Sequence, residues 1–331
     1  MLITVDTGKQ GRHSAYKTTH HMETGFRNIW PGRHVAHPSG SEIAGWYFSF
    51  IAERVTGSKK FEPTPVRKID PEEWQEGRVF WLGQATIMFR MKGKWILTDP
   101  VFYDRASPFS FVGPRRLVDR AVELDKIPDP DIILLSHNHY DHLDQNAIRF
   151  LAKKNPLFIV PLKNAAYLKT LGVSNITEMD WWEYAKIDDL TIHCTPAKHF
   201  SNRWLNDRDH SLWSGFFVEG DYSVYFAGDT AYASLFSEIE KVIGAPDIAA
   251  LPIGAYLPRW FMQEVHMDPE DAVRAFLDLK AKTFLPIHWG TFDLADEPLH
   301  EPPQLTEKIA AENGIKNDRL KILPVGGWLT P

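Results

Sequence analysis

Apolar positions recur at two different periods along this chain, and the change between them divides it. Residues 1–40 hold neither period and read as an arm or a loosely draped extension. Ile43, Trp46, Tyr47, Phe50 and Ile51 then fall at i, i+3, i+4, i+7 and i+8, so residues 43–55 are predicted as a helix with one apolar face. That face suits packing on a core or on a second copy. Its aromatic residues, with Arg54, Lys59 and Lys60 at the end, also suit the surface of an anionic bilayer. From about residue 78 the runs become short. Residues 78–90 and 94–99 predict a hairpin around Met91-Lys92-Gly93. Residues 131–136 are an almost unbroken apolar run and predict a buried strand. Further strands are expected at 157–160, 190–195, 215–219, 223–227, 247–252 and 283–287, and helices at 144–153, 164–171, 234–243 and 269–281. Asp268 is placed to cap the last helix, with Pro269 at its first position. Strands interleaved with helices predict α/β layers. The division expected is 1–70 for the arm and amphipathic helix and 71–331 for the main domain.

Composition adds limits. With 331 residues and 44% hydrophobic, the chain can bury a sizeable core, and 24% charged argues against disorder. The net charge of −6 excludes a strongly basic nucleic-acid binder. It is unevenly spread: residues 1–70 carry ten Lys/Arg against six Asp/Glu, a local +4, and the rest carries −10. The single cysteine, Cys194, excludes an intrachain disulfide framework and fits a reducing compartment. Fourteen histidines stand against it, so a bound metal would be held by imidazole and carboxylate. No run approaches the roughly 18 apolar residues of a spanning helix, and the N-terminus lacks the pattern of a secretory signal. A cytoplasmic protein is expected, with peripheral attachment to the inner face of a membrane as an option.

The segment that carries chemistry is Ser136-His137-Asn138-His139-Tyr140-Asp141-His142, which directly follows a buried strand. Loops at the carboxyl ends of strands are where α/β folds place their sites. Neutral imidazole and carboxylate suit zinc and its neighbours. In an extended segment His137 and His139 project the same way and can reach one ion.

The spacing His-x-His-x-Asp-His resembles the signature of the metallo-β-lactamase superfamily. The resemblance implies an αββα sandwich, with an N-terminal extension here, and a binuclear metal site at one edge. It also implies a first ion on His137, His139 and His199, a second on Asp141, His142 and His288, and Asp229 bridging both. A narrower resemblance, from about residue 78 to 303, is to the branch that hydrolyses N-acylphosphatidylethanolamine as a phospholipase D. It rests on Trp81-Leu82-Gly83-Gln84-Ala85-Thr86, Asp180-Trp181-Trp182-Glu183, Pro258-Arg259-Trp260-Phe261-Met262 and Ile287-His288-Trp289-Gly290. Gln84 stands where animal members have His, and Leu257 where they have Glu.

The branch implies two Zn2+, with other divalent metals also compatible, and a metal-bound hydroxide attacking phosphorus. The products would be phosphatidate and an N-acylethanolamine. Asp141, Asp229 and His266 are the expected catalytic residues, with His266 contacting the substrate phosphate as a positively poised imidazole near the N-terminus of a helix. Tyr140, Arg203 and Tyr256 are candidate substrate contacts, and Asp99 a candidate to orient a ligand imidazole. The expected partners are a phospholipid and a membrane surface met through the N-terminal aromatic helix. No nucleic acid is expected, and the resemblance suggests a homodimer. The alternatives are a metal-dependent hydrolase of a phosphorylated-sugar lactone or a nucleic-acid phosphodiester, or a non-catalytic lipid-binding scaffold.

Overall fold

Short apolar runs need cover on both faces, and the chain supplies it by stacking two sheets. The computed structural model describes residues 6–9, 19–31, 45, 49, 63–109, 111, 113–204 and 206–331. The first sheet runs in the order β1 (Asp6–Lys9), β8 (Glu183–Ile187), β9 (Leu190–Thr195), β10 (Gly215–Glu219), β11 (Ser223–Phe226), β12 (Ile248–Pro252) and β13 (Thr283–Ile287). The second runs β14 (Trp328–Leu329), β2 (Val79–Gly83), β3 (Thr86–Met91), β4 (Lys94–Thr98), β5 (Ile132–Leu134), β6 (Leu157–Pro161) and β7 (Ile176–Met179).

Each sheet is antiparallel on one side and parallel on the other. Strands β2 to β4 and β8 to β11 pair antiparallel, whereas β4 to β7 and β11 to β13 pair parallel. Parallel neighbours need crossovers, and most of these are helical. They are α1 (Gln145–Ala152), α2 (Ala165–Thr170), α3 (Leu235–Val242), α4 (Arg259–Met262) and α5 (Pro269–Asp278). A last helix, α6 (Glu301–Glu312), packs on α5. Among its described residues, the crossover from β4 to β5 contains no α-helix and carries an aromatic loop instead. Strands β5, β6 and β12 are buried at every position, as parallel strands covered on both faces should be. One apolar cluster joins the inner faces of both sheets. This is the αββα arrangement expected above.

Asp268 caps α5 as predicted, accepting from the amide of Asp271. The run 78–90, predicted as one arm of a hairpin, is two strands. Gly83 at φ 103° and Gln84 at φ 50° reverse the chain between β2 and β3. The alternation of residue types does not betray that reversal, because both strands are buried almost throughout. Helix α6 is not among the predicted helices. It opens Glu301-Pro302-Pro303 and buries Pro302, Pro303, Thr306 and Ala310, which make no stripe of large apolar residues.

The described part of the arm is attached rather than loose. Strand β1 pairs with β8, and His20 and Phe26 are buried, with His20 stacked 4.2 Å from Trp181. The apolar residues of the predicted helix at 43–55 lie outside the described residues. Among the described residues, no helix is long and apolar enough to cross a membrane.

Candidate metal centre

Four strands deliver the seven expected donors to one edge of the sandwich from their carboxyl ends. Strand β5 leads into 136–142, β9 into His199, β11 into Asp229 and β13 into His288. The donor atoms form two groups sharing Asp229: His137, His139 and His199 in one, Asp141, His142 and His288 in the other. Within each group all donor atoms lie within 4.8 Å of one another. Asp229 reaches both, with Oδ2 3.1 Å from His142 Nε2 and 3.8 Å from His199 Nε2, and Oδ1 3.1 Å from His288 Nε2. The backbone leaves no alternative at the bend before it. A Cβ on Gly228, at φ 60°, would lie 2.5 Å from Ser136 Cβ.

The donors fit a cation better than they fit each other. His137 Nε2 lies 2.8 Å and His199 Nε2 3.2 Å from His139 Nδ1. Ring nitrogens this close repel unless a proton or a cation stands among them. His142 Nε2 and Asp229 Oδ1 are buried without a hydrogen-bond partner. Their distances to opposite charges are short, but the alignment fails, and a spherical ion needs none.

A layer behind the donors fixes the rings. Asp99, at the end of β4 with φ 32°, is fully buried. It accepts from the Ser136 amide at 2.7 Å and pairs with His142 Nδ1 at 2.6 Å. The Val265 carbonyl lies 2.8 Å from His199 Nδ1. Both contacts hold the ring hydrogen on Nδ1 and leave Nε2 free to face the centre. Asp99 therefore stands where it was expected.

The centre's charges depend on one another. Burial disfavours the charged form of every group here. It lowers His137 well below the usual imidazole value, His139 to about 4 and His199 to about 3. Burial acts on His288 too, but Asp229 and Asp141 outweigh it and lift that ring to about 9. His142 is raised well above its ordinary value by the same two carboxylates. Asp141 and Asp229 are held well below theirs, burial being overcome by His142 and His288.

The remaining expected residues divide. His266 faces the centre, with Nδ1 3.9 Å from Asp229 Oδ2. It is not positively poised: burial lowers it to about 3, so the ring is neutral near pH 7. Tyr140 lines the cleft in front of the donors, its hydroxyl donating to the Arg203 carbonyl. Arg203 is neither a phosphate contact nor a surface arginine. Its buried guanidinium lies over the ring of Tyr140 and donates to the carbonyls of Asn138 and Leu143. Tyr256 is also turned away, buried and bonded through its hydroxyl to Glu301.

Three contributors were not expected. Gln84 uses the strained turn between β2 and β3 to donate to Asp141 Oδ2 at 2.9 Å, while its carbonyl accepts the His288 amide. Only the reversed turn signals this, and it was hidden in an apolar run. Glu297 accepts the amides of Ala255 and Leu257 and so holds the loop after β12. Asn28 of the arm donates to the His199 carbonyl at 2.8 Å. In front of the donors opens a cleft of roughly 370 Å³ with a largely apolar wall that includes Phe200, Phe261, Met262, Val265 and Leu294.

A family model described as a beta-lactamase superfamily domain matches residues 94–289. The N-acyl-phosphatidylethanolamine-hydrolyzing phospholipase D 1 of Caenorhabditis elegans is 36% identical over 280 residues, 79% of this chain and 79% of that one. The mitochondrial N-acyl-phosphatidylethanolamine-hydrolyzing phospholipase D of Saccharomyces cerevisiae is 37% identical over 246 residues, 72% of this chain and 52% of that one. Among solved structures, the isothiocyanate hydrolase from Delia radicum gut bacteria shares the fold, with a TM-score of 0.64 at 22% identity, covering 76% of this chain and 98% of that one.

Proposed function

This chain belongs to the beta-lactamase superfamily, and from that premise we propose that it is a metal-dependent phospholipase D. Its substrate is N-acylated phosphatidylethanolamine, and its products are phosphatidate and an N-acylethanolamine. The observation that carries this reading is the gathering of seven imidazole and carboxylate donors in two groups at the foot of an apolar-walled cleft. The activity for which the worm and yeast relatives are named supports the same substrate class.

His137, His139 and His199 would hold one divalent cation and Asp141, His142 and His288 the other, with Asp229 common to both; zinc is the ion such donors favour. Bound there, the pair would supply Lewis acidity, activating water and polarising a phosphoryl oxygen. Every other part of the chemistry falls to the chain and the substrate. Water attacks phosphorus in line with the headgroup oxygen, the bond from phosphorus to that oxygen breaks, and one of the two protons of the water passes to the departing oxygen to give the alcohol. Asp99 and the Val265 carbonyl keep the rings of His142 and His199 aimed throughout. Neutral His266 offers a ring hydrogen to a phosphoryl or leaving oxygen. The cleft wall takes the acyl chains and keeps bulk water out.

His266→Ala is expected to lower kcat by roughly 10²-fold, the usual cost of losing one donor aimed at developing charge. His266→Gln should recover part of it. Equal kcat in wild type and His266→Ala would remove that role.

The lipid must come from a bilayer, and the cleft mouth has the surface for it. Tyr103, Phe109, Phe111, Trp204 and Trp260 are exposed. They belong to the same three segments as Ala106, Phe200 and Phe261, which line the cleft. This reading moves the membrane contact from the N-terminal helix alone to the rim of the cleft. Phe111→Ser with Trp260→Ser is expected to weaken co-sedimentation with phosphatidylethanolamine vesicles about tenfold or more, from the apolar area lost. Unchanged co-sedimentation would return the contact to residues 43–55.

The direct test of the function is turnover of N-acylated phosphatidylethanolamine by zinc-loaded protein, with products identified by mass. Release of N-acylethanolamine supports it, and its absence at every metal and lipid composition overturns it.

A further inference from the structure

His20 and His21 are consecutive, and consecutive residues of an extended segment project to opposite sides. Here the chain turns at Thr19-His20 and closes a bridge between His21 and Phe26. As a result both rings reach one carboxylate. His20 Nε2 lies 2.8 Å from Asp180 Oδ1 and His21 Nε2 2.9 Å from Asp180 Oδ2. The donor atoms lie within 4.8 Å of one another, as in the two groups of the main centre.

Two of the three donors are fixed in advance. Asp180 is held through its amide to Glu183 Oε2 and accepts the Trp181 amide on Oδ1. His20 is buried and stacked on Trp181. The third, His21, has a side chain 41% exposed, which leaves an approach from solvent and room for a water ligand. Hydrogen bonds alone give little reason to order that ring, since water would serve an exposed imidazole as well.

We propose that His20, His21 and Asp180 form a third metal site, separate from the main centre, for a divalent cation of the zinc class. Two imidazoles, a carboxylate and an open position make a recognised zinc donor set. Binding requires both Nε2 atoms to present lone pairs, so the ring hydrogens move to Nδ1 or leave. The site would staple residues 19–31 to the end of β7. That segment carries Asn28, whose amide braces the His199 carbonyl, so the clamp reaches the backbone of the main centre without touching substrate.

The test counts zinc bound per chain at equilibrium, in untagged protein dialysed against zinc. The variants are His21→Ala, which is exposed and should fold, and Asp180→Asn, which keeps the shape and loses the charge. Each is expected to bind one equivalent fewer than wild type. In a background where His139→Ala and His199→Ala disable part of the main centre, His21→Ala should still remove one equivalent. That result would stand even if the phospholipase reading failed, because no substrate is involved. Equal zinc content in wild type, His21→Ala and Asp180→Asn, with all three folded by circular dichroism, would overturn the site and leave a plain hydrogen-bonded clamp.

Discussion

Asp229→Asn will lower kcat/KM on N-acylated phosphatidylethanolamine on the order of 10⁴-fold or more, a loss typical of residues acting as one catalytic unit. It will also remove at least one metal equivalent. The substitution keeps size, shape and one acceptor oxygen, so the fold should survive. What it removes is the negative charge that both donor groups share. Asp229 is almost wholly buried and lies 3.1 Å from both His142 Nε2 and His288 Nε2. No neighbour can replace it: Asp141 serves only the second group, and Asp99 is occupied behind His142. Steady-state kinetics and elemental analysis on one preparation check both halves. Full activity with full metal content would contradict a shared bridging role.

Chelation will abolish turnover and give stability a pH dependence that the loaded protein lacks. Without a cation, the carboxylates of the second group are balanced by protonated rings. His288 shows the sign. Burial opposes its charge, yet Asp229 and Asp141 raise it to about 9, above the 6.5 of an unperturbed imidazole. The stability this gives is fully present below pH 6.5 and is lost as pH rises to about 9. It amounts to about 3 kcal/mol at most. Asp141 and Asp229, held low by the same rings, add stability that is present above pH 3.8 and lost as pH falls through their folded values. Urea midpoints at pH 6.5 and pH 9 check this. The chelated protein should be less stable at pH 9, and the loaded protein nearly unchanged. A chelated protein indifferent to pH over that window would count against the charge balance described.

The centre was legible in the sequence because chemistry forced its residues together. Four ligand-type residues within six, after a buried strand, rarely gather by chance. Their partners at His199, Asp229 and His288 were implied by the family resemblance, and each follows a strand whose apolar run could be read. The substrate contacts were less legible, because a residue type does not say which way its side chain turns. Arg203 closely follows His199 and Tyr256 lies in the loop after β12, yet the first is drawn under Tyr140 by buried carbonyls and the second towards Glu301. Gln84 shows the opposite case. Its approach to Asp141 depends on a left-handed turn inside what reads as one strand. The arm reads as loose because its contacts are made by single residues far apart in sequence, such as His20 with Asp180 and Asn28 with His199. Such contacts leave no period to detect.

The most direct measurement of the central claim is hydrolysis of N-acylated phosphatidylethanolamine by zinc-loaded protein in ¹⁸O-labelled water. Attack of water at phosphorus with the headgroup leaving predicts one ¹⁸O in the phosphatidate and none in the N-acylethanolamine. Label in the N-acylethanolamine, or release of diacylglycerol with the phosphate still on the headgroup, would contradict it.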